Sequence, residues 1–380
     1  MAVAGIAYFS MALIAARFFI SARRASLPAF SPSVSILKSL KGLDLGLLDA
    51  FRSHCRQNYP GEFELLFGVS SLDDPAVSAV RQLQAEFPDR SIRLIECPEK
   101  LGTNGKVSTL IQMVPHAQYE YLLVNDSDIT VSPNYLARVT AHFAPQQPRP
   151  YHKPPRPVGL VTALYRGRAH GTLGSRLESL TMATDFMPSV LVARMLEGGL
   201  RYGLGSTLAV SREALGRIGG FQALVDHLAD DYELGERIFQ SGYRVALSAE
   251  VVETSVPAYK WRAFCDHQLR WLRTVRDARP AGYTGLIFTQ GLTLALINLI
   301  ASGLSPLSLW ILALSFFLRL SLAMTVGAEV LGDHQVLSAI WLLPLRDIVA
   351  TALWIDGFAS NSIVWRGERF EVRQGKLHRS

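Results

Sequence analysis

Hydrophobicity in this chain of 380 residues is concentrated at the two ends, and that segregation constrains the fold more than any other feature. Residues 2–20, AVAGIAYFSMALIAARFFI, and much of 284–358 are long and apolar enough to enter a bilayer. The stretch 31–280 mixes polar and apolar residues as a water-soluble domain does. The chain therefore reads as a globular domain held to a membrane. No basic residue precedes the first run, Arg17 stands near its far end, and Arg23 and Arg24 follow in SARRAS. A cleaved secretory signal has the opposite charge order and a small-residue cleavage site. Residues 1–24 are thus expected to remain as a transmembrane anchor. The domain after them is expected on the cytoplasmic face of a bacterial inner membrane or its equivalent, where basic flanks collect.

At the other end, 285–304 and 307–326 are clear spans joined by a short turn, while 336–358 carries Pro344, Arg346 and Asp347. If all three cross, the basic tail 361–380, which includes RGERFEVRQGKLHRS, emerges opposite the domain and against the positive-inside tendency. Either that tendency is broken, or 336–358 lies in the interface or re-enters, and the sequence leaves both open. The net charge of +6 raises the question of nucleic acid, but the excess sits beside the apolar segments in SARR, KWR and RWLRTVRDAR. Such residues suit anionic lipid head groups, and no nucleic-acid motif competes with that reading. Three cysteines, Cys55, Cys97 and Cys265, stand far apart without a CxxC spacing, so neither a disulfide framework nor a zinc site is implied.

From residue 34 short apolar runs alternate with helical stretches: VSILK then 44–57, FELLFGVS then 75–86, IRLIEC then 104–114, YEYLLVN then 133–143. This spacing predicts βαβ units and a mainly parallel, Rossmann-like α/β sheet over 31–280. APQQPRPYHKPPRP, with six prolines in fourteen residues, is expected as an exposed loop before the strand VGLVTALY. A glycine-punctuated turn, strand and helix (203–221) precede an acid-opened helix and strand in HLADDYELGERIFQSGYRVALS. A basic, aromatic helix at 259–277 then leads into the 284–360 membrane region, with the composition of an interfacial helix. TDFMPSVLVARML (184–196) is a candidate acceptor contact beside its plainer role in core packing.

In open parallel sheets ligands bind at the carboxyl ends of the strands, and YLLVNDSD sets Asp126 and Asp128 there. Two carboxylates so close suit a hard divalent cation, Mg²⁺ or Mn²⁺, shared with substrate phosphates, or else an ordinary Asx turn. Similar points carry Asp73 and Asp74 in LDDPAV, Lys106 in GTNGKVSTL, Asp230 and Asp231 in LADDYELG, and Arg270 and Trp271 in HQLRW. Each alone reads equally as a helix cap or a solvated face.

Taken in order, LDDPAV, NDSD, LADDYELG and HQLRW resemble the three aspartate motifs and (Q/R)xxRW box of family 2-type inverting glycosyltransferases of the GT-A fold. The nearest resemblance is to the ceramide glucosyltransferases of family 21, from about Val34 to Trp271. That resemblance implies a UDP-sugar donor, with UDP-glucose favoured, a divalent metal, and a membrane lipid such as ceramide as acceptor. It implies that Asp74 contacts the uracil, Lys106 helps hold the donor, and Asp126 and Asp128 serve ribose, diphosphate and metal, Asp128 as the direct ligand. Asp231 becomes the general base, and Arg270 and Trp271 close over diphosphate and acceptor. Two positions depart from the pattern: His267 replaces the usual Gln or Arg, and Asp230 a common Glu. The resemblance brings in the bilayer as a partner, with no nucleic acid and no obligate protein partner. Three other readings stand beside it: UDP-N-acetylhexosamine (N-acetylglucosamine) transfer to a hopanoid polyol, a processive polysaccharide synthase, and a non-catalytic nucleotide-sugar-binding membrane protein.

Overall fold

The structure, a computed structural model, describes residues 1–24, 28–145, 155–365 and 368–379. Most of the proline-rich segment expected as a loop lies outside the described residues. Two compact units are formed. One holds Ser26–Tyr165 and Gly199–Ser255; the other holds Met1–Ala25, Arg166–Gly198 and Val256–Ser380.

The first unit contains β1 (Val34–Ser39), β2 (Phe63–Val69), β3 (Ser91–Glu96), β4 (Tyr121–Val124) and β6 (Leu208–Ser211). The boundary between the units falls within β5 (Val158–Ala169) and β7 (Arg244–Val256). Sheet order is β3-β2-β1-β4-β6-β5-β7. Strands β1 to β4 pair in parallel, as apolar runs separated by helices predict, whereas β6 runs antiparallel to β4 and β5. β1 and β2 are buried along nearly their whole length, as strands covered on both faces must be. Helix Ala76–Glu86 buries Ala76, Val77, Ala79, Val80 and Leu83, a one-sided stripe at helical spacing. Phe51 and Phe67 meet with ring centroids 4.5 Å apart. Each such buried apolar side chain contributes roughly 1.5–3 kcal/mol. This packing holds the carboxyl end of β4 in place.

Among its described residues the second unit contains four helices long and apolar enough to cross a membrane: Ala2–Arg23, Pro280–Ala301, Pro306–Val330 and Gln335–Asp356. Gly5 and Gly291 bring the first two backbones together so closely that a Cβ on Gly5 would strike the Gly291 backbone, a small-residue contact suited to membrane helices. Two helices, Leu173–Thr181 and Met187–Leu196, are joined by a π-helical turn, Met182–Phe186. Helix Trp261–Ala278 follows.

Residues expected as a basic tail form an antiparallel sheet, β8 (Ser362–Trp365), β9 (Glu368–Arg373) and β10 (Lys376–Arg379). Its Phe370, Val372 and Leu377 are buried, and it turns at Gln374 and Gly375, both at positive φ. Arg273 donates to the Ser362 carbonyl at 2.6 Å and Asp277 accepts from Gly375 N–H, so the sheet is bonded to helix Trp261–Ala278.

Candidate functional site

Asn125, the first residue past β4, is buried and anchors the turn that follows. Its amide donates to the Ser206 carbonyl at 2.6 Å and to the Tyr135 hydroxyl at 2.9 Å, and its oxygen lies 3.2 Å from His54 Nε2. With that turn fixed, the Asp126 carbonyl accepts from Lys38 Nζ at 3.0 Å, and Asp126 Oδ1 accepts from Lys106 Nζ at 2.6 Å. Lys106 is also 3.7 Å from Asp230 Oδ2. Asn104 positions Lys106: its side chain caps helix Gly105–Met113 and donates to the His227 carbonyl at 2.8 Å, binding the loop that precedes Asp230.

Asp231 lies in the first turn of helix Asp230–Gln240, where the helix dipole favours acids. Its Oδ2 accepts from Gly205 N–H at 2.7 Å and its Oδ1 from Tyr232 N–H at 2.8 Å. A Cβ on Gly205 would sit 3.1 Å from Asp231 Oδ2 and 3.6 Å from Asp126 Oδ2, so the two carboxylates converge on one glycine. Gly235 makes that approach feasible, because a Cβ there would collide with the backbone of Tyr202 and Gly203.

The electrostatics follow from the crowding. Burial and the neighbouring Asp230 push the Asp231 carboxyl up to about 6, with Lys106 opposing them. The Lys106 ammonium titrates well above its ordinary value: burial works against the charge, but Asp126 and Asp230 outweigh it. Lys38, buried in β1, is pushed down to about 7 by desolvation. Three carboxylates, Asp126, Asp230 and Asp231, thus face the Lys106 ammonium. Such a surplus of hard oxygen charge fits a divalent cation. Among the described residues no three His, Cys, Asp or Glu side chains form a protein-only cage.

Asp128 is turned elsewhere. Its Oδ2 accepts from the Thr254 hydroxyl at 2.5 Å and from Ser255 N–H at 3.1 Å, and burial raises its carboxyl above the usual range. Asp74 accepts from Gly42 N–H at 3.0 Å and from Ala76 N–H at 2.9 Å, fastening the loop after β1 and capping the next helix. The structure therefore brings together Lys106, Asp126 and Asp231 of the expected set, adding Asp230 and Gly205.

His267, Arg270 and Trp271 belong to the other unit. The His267 ring lies between Tyr259 and Trp271, at centroid distances of 5.3 and 5.2 Å, and its Nδ1 is 3.0 Å from the buried Glu178 carboxylate. Gln268 donates to the same oxygen at 3.2 Å. Trp271 packs against Phe186 of the π-helical turn at 6.0 Å. Arg270 lines a cavity of about 250 Å³ with Asp266, Arg273 and Ser362.

Sequence reasoning missed Lys38, Asn125, Gly205 and Glu178. Lys38 had a signal, a lysine inside the apolar strand VSILKS. The others depend on tertiary neighbours.

The sequence profile described as glycosyl transferase family 21 matches residues 1–378. The chain is 25% identical to ceramide glucosyltransferase 3 of Caenorhabditis elegans over 90% of its own length and 73% of that protein. It is 22% identical to ceramide glucosyltransferase 1 of the same organism, covering 90% and 72%. Among solved structures, the mannosyltransferase PcManGT from Pyrobaculum calidifontis, in complex with GDP-Man and Mn2+, superposes with a TM-score of 0.55. Identity there is 20%, and 94% of this chain and 96% of that one are covered.

Proposed function

The chain belongs to glycosyl transferase family 21, and from that membership we propose that it moves a hexose, glucose first, from a UDP-sugar to the hydroxyl of a ceramide-type membrane lipid with inversion. The observation that carries the reading is the convergence of Asp126 and Asp231 on Gly205 beside Lys106. Support for lipid and sugar comes from the relatives named ceramide glucosyltransferases.

Inverting transfer needs a carboxylate that takes the acceptor proton as the hydroxyl attacks. Asp231, raised to about 6, is ionised at neutral pH yet basic enough for that task. Its two backbone N–H donors hold the carboxylate in one orientation. Asp126, where carboxylates outnumber ammonium groups, would hold a divalent cation together with Asp128, whose Oδ2 alone is engaged by Thr254 and Ser255, and one structure of similar fold is described in complex with GDP-Man and Mn2+. When bound, that cation supplies charge neutralisation for the departing diphosphate. Lys106 holds the donor, Asp74 takes the uracil, and Arg270, with Trp271 and His267, serves diphosphate and acceptor. The catalytic face is assigned to the cytoplasmic side.

The test is to incubate the purified full chain with labelled UDP-glucose or UDP-N-acetylglucosamine, ceramide or a hopanoid polyol, and Mg²⁺ or Mn²⁺. The expected product is a single β-linked glucose on ceramide. Transfer only of N-acetylglucosamine to the hopanoid moves the assignment to that pair, and a polymer makes the chain a synthase. UDP binding without turnover on any acceptor overturns catalysis.

A further inference from the structure

We infer that the fourth apolar helix, Gln335–Asp356, does not cross the membrane: it enters and returns on the Arg23 side, presenting an apolar ridge to the acyl chains of that leaflet. Length and composition alone qualify it as a span, with 22 residues able to reach about 33 Å. Its two ends are tied to the same end of the helical bundle.

The beginning is fixed by the helix before it. Pro306–Val330 finishes beside the C-terminal end of the first helix, where Arg23 donates to the Val330 carbonyl at 3.2 Å and Arg17 pairs with Glu329 at 3.5 Å. Only Leu331–His334 intervene before Gln335, and Arg166 holds the first two of them by their carbonyls at 3.0 and 2.8 Å. Asp333 N–H returns to the Gly327 carbonyl at 2.9 Å, and the Val336 side chain packs on Gly327. The helix therefore starts at the Arg23 end.

The finish follows from connectivity. Since Pro306–Val330 runs toward Arg23, the short turn Ser302–Ser305 leaves Ala301 at the opposite end and returns Pro280 to the Arg23 end. Arg279, next to Pro280, pairs with Glu197 at 2.5 Å, and Arg194 of that same segment lies over the Phe19 ring. Trp354 then donates to the Tyr283 carbonyl at 2.9 Å while the Tyr283 hydroxyl donates to the Trp354 carbonyl at 2.6 Å. Arg276 grips the Gly357 and Ser360 carbonyls just beyond.

A straight helix cannot begin and end at one level of a bundle that it penetrates, and this one is broken by a 3₁₀ turn at Ile340–Leu342 followed by Pro344. Past the break Arg346 and Asp347 are turned inward, onto Asp185 and Arg319. Leu337, Trp341, Leu345, Ile348 and Ile355 are 45%, 68%, 40%, 47% and 60% exposed at one-face spacing, an apolar ridge of the kind the spanning helices also expose. Three crossings then leave β8 to β10, and the basic residues there, on the side of Arg23 and Arg24, in keeping with the positive-inside tendency.

The test is cysteine accessibility in sealed membrane vesicles of the full chain. Cys265→Ser is introduced, while Cys55 and Cys97 stay because burial pushes both thiols up to about 11 and they are enclosed. Single cysteines are placed at the exposed Arg24, Ser302 and Lys376 and probed with a membrane-impermeant maleimide before and after permeabilisation. Lys376→Cys is expected to label with Arg24→Cys, and Ser302→Cys in the opposite compartment. Labelling of Lys376→Cys with Ser302→Cys overturns the inference. If Lys376→Cys lowers expression, His378→Cys, equally exposed on β10, gives the same readout.

Discussion

Asp231 meets two demands that pull against each other: it is half-buried beside Asp230 yet must ionise to act as a base. Lys106 and the Tyr232 N–H bond bring its carboxyl only part of the way back, to about 6. The base works as the carboxylate, so kcat/KM is expected to fall as pH drops through about 6, which a pH–rate profile on the free enzyme reads directly. Asp231→Asn is expected to lower kcat by ~10²–10⁴-fold while UDP-sugar affinity, read by calorimetry, changes little. Loss of binding together with turnover would instead make Asp231 a donor contact. Lys38 is a second titrating group beside the same turn. Its folded pKa of about 7 lies below the ordinary 10.5, so the unfolded chain holds a proton that the folded chain sheds between those values. Stability from this residue therefore rises with pH from about 7 to 10.5, and its cost is fully present below 7. Lys38→Met should flatten that rise in Tm measured in detergent across the window, and an unchanged slope would show that another group titrates.

Helix Asp230–Gln240 is the element on which the site turns. Gly235 faces the backbone of Tyr202 and Gly203 without room for a methyl group, and main chain does not yield as a flexible side chain does. Gly235→Ala is expected to destabilise by about 1–3 kcal/mol. By displacing Gly205 from Asp231 it should also cut kcat at least tenfold; a variant with lowered Tm but full kcat would uncouple the loop from the base. How much of this was legible in the sequence depended on range. β1 to β4 stand out because each apolar run is followed by a helix, and NDSD falls at a strand end for that reason. The helix opening on Asp230 and Asp231 was legible from its acidic start. The antiparallel β6 was not, because direction within a sheet is decided by partners rather than by residues. The meeting of Lys106 with Asp126, twenty positions away, and of Gly205 with Asp231, is likewise a product of packing. In β9 and β10 the alternation of Phe370, Val372 and Leu377 with charged residues was present, but the charges made it read as a tail.

At the scale of the molecule, the membrane-associated unit contains ionised groups where a bilayer protein tolerates few. Arg319 and Arg346 are almost fully buried, as is Asp347, with Arg319 Nε and Nη2 set 2.9 and 2.8 Å from the two Asp347 oxygens. Arg346 joins Asp347 at 2.6 Å and reaches Asp185, while Arg319 donates to Thr184. Two cations and two anions balance, and the bonds run from Pro306–Val330 and Gln335–Asp356 to the π-helical turn whose Phe186 packs on Trp271. Arg319→Met strands Asp347 with one partner and leaves an excess negative charge in the interior. That loss is expected to cost about 3–5 kcal/mol, read as a large fall in Tm in detergent. Arg319→Met combined with Asp347→Asn restores neutrality, with Arg346 still paired to Asp185, and should recover a substantial part of the lost Tm. If the double variant is no more stable than the single one, the hydrogen-bond geometry at Thr184 rather than charge balance is what holds this unit together. If Arg319→Met alone is harmless, water reaches Asp347 and the network is not sealed.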